Sequence, residues 1–163
     1  MFVSALVTEQ VVGRLAGEAG LQLRLHEVAS VMNLRTERFE GDQVVGGQIN
    51  AEMAERRPIR YPVVYVYCEK ISNMLREKFR SFSGTVRVVI EPRVSHDRSE
   101  EVEVRLQCLV DAVIAVLSAS RGDWGSGMCY SGAYEVSYTP LRPGGRQYLK
   151  GAKVTFDVDV SAG

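Results

Sequence analysis

The sequence predicts an α+β fold, a mainly antiparallel four-stranded sheet with helices packed on one face, plus a long loop excursion and a hairpin arm. Four segments show the period of two that marks a strand, and two others repeat apolar residues with the period of a helix. The elements follow the order helix, excursion, strand, strand, helix, strand, strand. Strands that follow one another directly favour antiparallel pairing.

The 163 residues are expected to form a single domain, because this length is usual for one domain and no linker divides the chain. We expect an N-terminal helix in residues 1–20, an extended excursion at 33–58, and the sheet with the main helix at 61–160. Twenty basic residues balance twenty acidic ones. The net charge therefore gives no general attraction to nucleic acid or to an anionic membrane.

The first predicted element is an amphipathic helix. Its apolar residues recur at every fourth position, at Val3, Val7, Val11 and Leu15. Gly20 ends it, because glycine readily takes the left-handed conformation that closes a helix. Gly13 and Gly17 weaken the helix, unless they mark a face where another backbone packs closely. The next segment, 21–31, is either a strand or a second short helix.

Residues 33–58 show little periodicity. Charged residues and glycines fill this stretch, which has few large apolar side chains. A structureless loop of this length is uncommon in a compact domain and is usually functional or disordered. We therefore expect an exposed excursion, either a docking arm or a mobile loop.

Two strands and a short helix are predicted after the excursion. Residues 63–68 are apolar on both faces, which is typical of a strand that is buried on both sides. Residues 71–79 predict a short helix, because their large apolar side chains fall on one side of a helix. A second strand follows at 86–91, where apolar residues alternate along one face.

The best-defined predicted element is a helix over 99–119. Ser99 is a suitable cap, and the acidic residues of the first turn complement the positive end of the helix. The helix must lay its apolar stripe on a sheet. The stripe consists of Val102, Leu106, Leu109, Val113 and Leu117. Two further strands, 134–138 and 154–160, flank an arm at 140–151, whose Pro-Gly-Gly turn signal predicts a hairpin.

No catalytic site is recognisable in the sequence. The two histidines, His26 and His96, lack the pattern of a nucleophile and an oriented carboxylate. Asp157 and Asp159 share a strand face, where they could hold a divalent cation in a nucleic-acid enzyme. Alternating aspartates are more typical of the wet face of a sheet. We expect a protein that is not an enzyme and that binds no metal or cofactor.

The three cysteines, Cys68, Cys108 and Cys129, form no CxxC pair. Each lies in or beside an apolar run, so we expect free thiols that are buried as small hydrophobic groups. This pattern and the absence of a secretory signal in the first residues suit a protein that folds in the cytoplasm. No apolar run approaches the roughly 20 residues that cross a bilayer. No membrane partner is expected.

The glycine-rich segment 121–130 carries the only tryptophan, Trp124. A large aromatic side chain on a flexible loop costs entropy to order, so something should cover it. Two interpretations remain open. Either Trp124 folds back over the edge of the sheet, or it anchors a subunit interface, where Trp, Tyr and Arg are enriched.

The chain resembles structural proteins of tailed bacteriophages, and most of all the small α+β proteins of the head–tail junction, the tail-terminator or tail-completion class. The resemblance covers about residues 60–160. It is carried by the order of the elements and by five segments: YPVVYVY (61–67), FSGTVRVVIE (82–91), the helix 100–117, RGDWG (121–125) and AKVTFDVDV (152–160).

This resemblance implies a homohexameric ring that caps the tail tube and offers a surface to the neck, with DNA passing through the lumen without sequence recognition. The implied partners are further copies of the chain and the tail tube and neck or connector proteins. The implied location is the virion, after assembly in the host cytoplasm. A neck connector, head–tail adaptor or tail tube protein is the alternative. The residues expected at the interface are Arg121, Asp123, Trp124, Tyr130, Arg142, Arg146, Tyr148, Arg38, Phe39, Arg56 and Arg57.

Overall fold

The computed structural model describes residues 2–34, 39–47 and 59–163, within which the chain forms three α-helices and a sheet of eight strands. The helices are α1 (Val3–Ala16), α2 (Leu21–Val31) and α3 (Ser99–Ala119). The strands are β1 (Val44–Gly46), β2 (Val63–Asn73), β3 (Phe82–His96), β4 (Gly122–Gly125), β5 (Met128–Tyr130), β6 (Glu135–Tyr138), β7 (Arg142–Gly144) and β8 (Gln147–Ala162). Among the described helices, none has the length and apolar character needed to span a membrane.

The longest strand, β8, organises the sheet. One of its edges pairs antiparallel with β3, from Phe82 opposite Ala162 to His96 opposite Tyr148. Its other edge is shared by β7, β6 and β5, and β4 lies outside β5. On the far side of β3, β2 pairs antiparallel with β3 and β1 pairs parallel with β2. The sheet is therefore mixed.

The main core lies between the helices and one face of the sheet. Successive side chains of a strand point to opposite faces, and the alternate residues Val86, Val88 and Ile90 of β3 are fully buried in this core. Helix α1 lies against β1, β2 and β3, while α3 lies against β3 and β8 and contacts α2. The predicted stripes of α1 and α3 are buried. The α+β class is thus confirmed, and residues 21–31 form a helix.

The prediction of four, mainly antiparallel strands is wrong in its detail. Strands β1, β4, β5 and β7 are only three or four residues long, too short to show a period of two. The predicted arm is a hairpin, in which β7 pairs with the start of β8 and Gly145 takes a left-handed conformation with φ 69°. The final strand therefore begins at Gln147 rather than at 154.

The short helix predicted at 71–79 is also wrong. Strand β2 continues to Asn73, and residues 74–81 form the loop that joins it to β3. The Asn73 side chain shapes this loop, because its Oδ1 accepts hydrogen bonds from the N–H groups of Leu75 (3.3 Å) and Ser83 (3.1 Å). The apolar side chains that suggested a helical face are exposed instead of packed.

The structure describes residues 33–34 and 39–47 of the excursion predicted at 33–58, and the prediction is wrong for 39–47. Phe39 is buried in the core, and β1 extends the sheet. The rest of the predicted excursion, at 35–38 and 48–58, lies outside the described residues.

Gln43 explains how this polar stretch joins the fold. Its side chain is buried, and its Nε2 donates a hydrogen bond to the carbonyl oxygen of Pro62 at 2.6 Å. Its Oε1 accepts from the Glu40 N–H at 2.9 Å, within the 3₁₀ turn Gly41–Gln43. A buried polar side chain with both ends of its amide bonded stabilises the chain without adding to the hydropathy pattern.

Candidate interaction surfaces

Trp124 lies inside the core of its own chain. Its side chain is 8% exposed, and its Nε1 donates a hydrogen bond to the Ser120 carbonyl oxygen at 2.6 Å. The ring packs near Tyr130, with 5.8 Å between the centroids, and Tyr130 packs near Phe156 at 5.1 Å. The Arg14 guanidinium lies 4.6 Å from the indole centroid. Trp124 therefore belongs to the core, and its prediction as an interface anchor is wrong.

The other residues predicted for an interface divide into three groups. Phe39 and Tyr130 are buried in the core, so they have no surface to offer a partner and that prediction is wrong for both. Arg38, Arg56 and Arg57 lie outside the described residues. The exposed ones are Arg121 just before β4, Asp123 within β4, and three residues on the β7–β8 hairpin, Arg142, Arg146 and Tyr148.

The most exposed large apolar side chain of the described residues, Phe79, lies on a surface that was not predicted from the sequence. This surface is the end of the β2–β3 hairpin, residues 71–81, which we call the apolar tip. Phe79 is fully exposed at 102%, and Leu75 is 63% exposed. Ile71 and Met74 are each exposed by nearly half. Apolar groups concentrated on one projecting loop mark an interaction site more often than scattered surface residues do.

The apolar tip is fixed to the end of β8. The Ser81 hydroxyl donates to the carbonyl oxygen of Ala162 at 3.1 Å, and the Ser161 hydroxyl donates to Glu77 Oε2 at 2.8 Å. Glu77 also pairs with Arg80 at 3.5 Å. These bonds hold the loop in one conformation. A loop that is already ordered loses less entropy when a partner binds.

A second apolar surface is the groove between α2 and the first half of α3, which we call the α2–α3 groove. Its volume is about 200 Å³. Glu101 and Arg105, paired at 3.4 Å, contribute its polar lining. Burial, and then the charge of Asp111, raises the pKa of the Cys108 thiol in its wall. The apolar lining consists of Leu25, Ala29, Leu34, Val104 and Cys108.

A third depression, on the sheet, is polar. It measures about 440 Å³ and includes Arg87, Glu135, Asp157 and Asp159 in its lining. Asp157 is paired with Arg87 across β3 and β8, with 3.0 Å between Oδ1 and Nε. The described residues contain no group of three or more His, Cys, Asp or Glu side chains placed to hold a metal ion. This depression therefore has the paired charges of a solvated sheet face.

On that same side of β2 and β3 lies a nearly buried ion pair. Glu91 Oε1 and Arg93 Nη2 are 3.2 Å apart, and their side chains are only 5% and 11% exposed. The Arg93 guanidinium lies 4.8 Å from the centroid of the Tyr65 ring. Burial, followed by the charge of Glu91, raises the pKa of Tyr67 to about 12. These groups hold one another in place.

The remaining candidates for a chemical role are the two histidines and the three cysteines. His96 Nδ1 accepts a hydrogen bond from the Arg98 N–H at 3.0 Å in the turn before α3, and His26 is exposed on α2. The prediction of three buried thiols is correct for Cys108, but Cys68 is only partly buried and Cys129 is exposed.

No protein-family model matches the chain, and no curated protein matches it significantly.

Proposed function

We propose that the chain is a structural subunit of a tailed-phage tail or neck assembly, a tail terminator that forms a ring at the head-proximal end of the tail tube. The observation that carries this proposal is the apolar tip. A fully exposed Phe79 beside a largely exposed Leu75, on a loop that is hydrogen-bonded into one conformation, is a costly arrangement for a monomer in water. It is suited to a contact with another subunit.

The edges of the sheet support an assembly as well. Strand β1 pairs with β2 only from Val64 to Val66, and none of the other described strands pairs with the outer edge of β2 beyond that point. Unpaired strand edges invite association unless something covers them. In a ring, neighbouring subunits cover such edges, and no edge is left over when the ring closes.

The alternative of a metal-dependent nucleic-acid enzyme has less support. Asp157 is engaged by Arg87, and Asp159 lies beside it on an open sheet face. A two-metal nuclease site needs several carboxylates around the ions. A neck connector or tail tube subunit would use the same kind of exposed surface, so the form of the assembly separates these roles.

The proposal is tested by measuring the mass of the purified chain by native mass spectrometry and imaging the same sample by negative stain. A tail terminator is expected to form closed rings of six that stop the growth of tail tubes when they are added to tube protein. An open tube would instead assign the chain to the tail tube. A monomer at all concentrations would contradict the proposal.

A further inference from the structure

We propose that the apolar tip of one copy docks into the α2–α3 groove of the next copy, with the Phe79 ring filling the groove. This inference rests on the proposed function and names the contact that would close the ring. The tip projects and is exposed, whereas the groove is concave, with nearly buried apolar side chains in its floor and the partly exposed Val104 and Leu34 in its lining.

The contact has to be between copies, because the two surfaces lie at opposite ends of the molecule. Strand β3 starts at Phe82, next to the tip, and ends at His96, three residues before α3 begins. At about 3.3 Å per residue, the 15 residues of this strand span on the order of 50 Å. The groove lies in the first ten residues of α3, roughly 15 Å of helix from its start. A tip therefore cannot reach the groove of its own chain.

The groove is large enough for an aromatic ring. A benzene molecule is accommodated by an apolar cavity of about 150 Å³, and the groove measures about 200 Å³. Aliphatic side chains from both helices form its wall, with Val104 near the centre of the α3 contribution. An aromatic anchor in an apolar pocket is the arrangement found at the energetic centre of many interfaces.

The charges of the two surfaces are complementary. The tip loop, 74–81, carries three basic residues and one acidic residue. Its acidic residue, Glu77, pairs with Arg80, which leaves Arg76 and Lys78 without an ion pair in the described part of the chain. Helix α3 carries four acidic residues and one basic residue. Its first three acidic residues pair with Arg98, Arg105 and Lys150, which leaves Asp111, close to Cys108 in the groove wall, without an ion pair in the described part of the chain. The tip thus offers unpaired positive charge and the edge of the groove offers the unpaired carboxylate of Asp111, which favours this pairing over tip against tip.

Unlike surfaces give a heterologous contact. Such a contact closes into a ring when the rotation between neighbours divides a full turn. The tip and groove therefore provide a physical basis for a ring rather than for an isologous dimer.

Two single substitutions test the contact from its two sides. Phe79→Asp removes the anchor, and Val104→Asp places a charge in the groove. Phe79 is fully exposed and Val104 about one-third exposed, so both variants should melt close to the unmodified protein. Each should raise the concentration at which the assembly half-dissociates by more than about tenfold. Phe2→Asp and Ser118→Asp, which change an exposed phenylalanine elsewhere and an exposed position at the far end of α3, serve as matched controls.

A mixing experiment separates a direct contact from an indirect effect. The Phe79→Asp chain keeps an intact groove, and the Val104→Asp chain keeps an intact tip. Each variant alone should be monomeric by light scattering. An equimolar mixture should form one-to-one dimers and stop there, because only one of the two possible contacts in such a pair is intact.

The failures of the two proposals are distinguishable. If the unmodified chain forms rings but the two variants still assemble as it does, or if their mixture stays monomeric, the tip-in-groove contact is overturned while the ring remains. If the unmodified chain does not assemble at all, the proposed function fails, and this inference with it.

Discussion

The indole Nε1 of Trp124 donates a hydrogen bond to the carbonyl oxygen of Ser120 at 2.6 Å. Ser120 is the residue that caps the end of α3, where carbonyl groups have no partner within the helix. The bond therefore satisfies a buried acceptor and ties β4 to the helix. The only tryptophan of the chain has a structural explanation that needs no partner.

This relationship predicts the effect of Trp124→Phe. The substitution keeps an aromatic ring but leaves the Ser120 carbonyl oxygen without its donor, which should cost about 1–3 kcal/mol in the free energy of unfolding. Urea denaturation measures the loss. Assembly should be retained under conditions where the variant is folded. A folded variant of normal stability that no longer assembles would contradict this interpretation and indicate that Trp124 contacts another subunit.

Gly13→Ala is expected to stabilise the protein. Gly13 lies inside α1, and a Cβ added there would meet nothing within 4 Å. Alanine is favoured over glycine in a helix interior by up to about 1 kcal/mol. Thermal melting should show a higher midpoint. A lower midpoint would revive the idea that this glycine marks a close approach of another backbone.

The two ion pairs on the sheet should differ in their importance. Glu91→Ala removes one charged partner, at 3.2 Å, of the nearly buried Arg93, at a cost of about 3 kcal/mol in the free energy of unfolding. Asp157→Ala removes an exposed pair with Arg87 and should leave the stability nearly unchanged. Chemical denaturation of both variants checks the contrast. Equal losses would contradict the difference in burial.

Tyr67 should make the stability depend on alkaline pH. Its pKa is raised from 10.0 to about 12 in the folded chain by burial, with Glu91 as the next cause. The unfolded chain therefore releases the phenolic proton first. The stabilising effect of Tyr67 is complete below about pH 10 and is lost as the pH rises toward 12.

Urea midpoints measured between neutral pH and pH about 11 test this dependence. The midpoint should fall at the upper end, and it should fall less in Tyr67→Phe, which cannot ionise. Tyr130, whose pKa burial also raises to about 12, leaves a residual slope in that variant. A Tyr67→Phe curve that falls as steeply as that of the unmodified chain would contradict the assignment.

The long elements were predictable because the pattern of buried residues repeats several times along each of them. Helix α3 spans 21 residues, and its buried stripe, from Val102 to Leu117, repeats over about four turns. Strand β3 buries alternate residues along most of its length. Most of the short strands were not predictable, because three or four residues such as Val44–Gly46 hold no period. Strand β6 is the exception, because the alternation that predicts it already begins at Tyr134. Their pairing depends on neighbours that are distant in sequence.

The candidate surfaces were predicted poorly because the exposure of a side chain depends on which neighbours cover it in the folded chain. Trp124 is a large side chain among glycines, which suggested an interface, yet the end of α3 and the Tyr130 ring cover it. The four apolar residues of the tip looked like the buried face of a helix. The signal that could have identified them is the neighbouring Asn73 and the strand run that precedes it, which together favour a hairpin loop over a helix.

The most direct test of the account is the mass in solution of the unmodified chain and of Phe79→Asp, measured side by side over a range of concentrations. We predict a closed multimer for the unmodified chain and a folded monomer for the variant, with the Phe2→Asp control assembling normally. Identical masses for the unmodified chain and Phe79→Asp would contradict the claim that the apolar tip joins subunits.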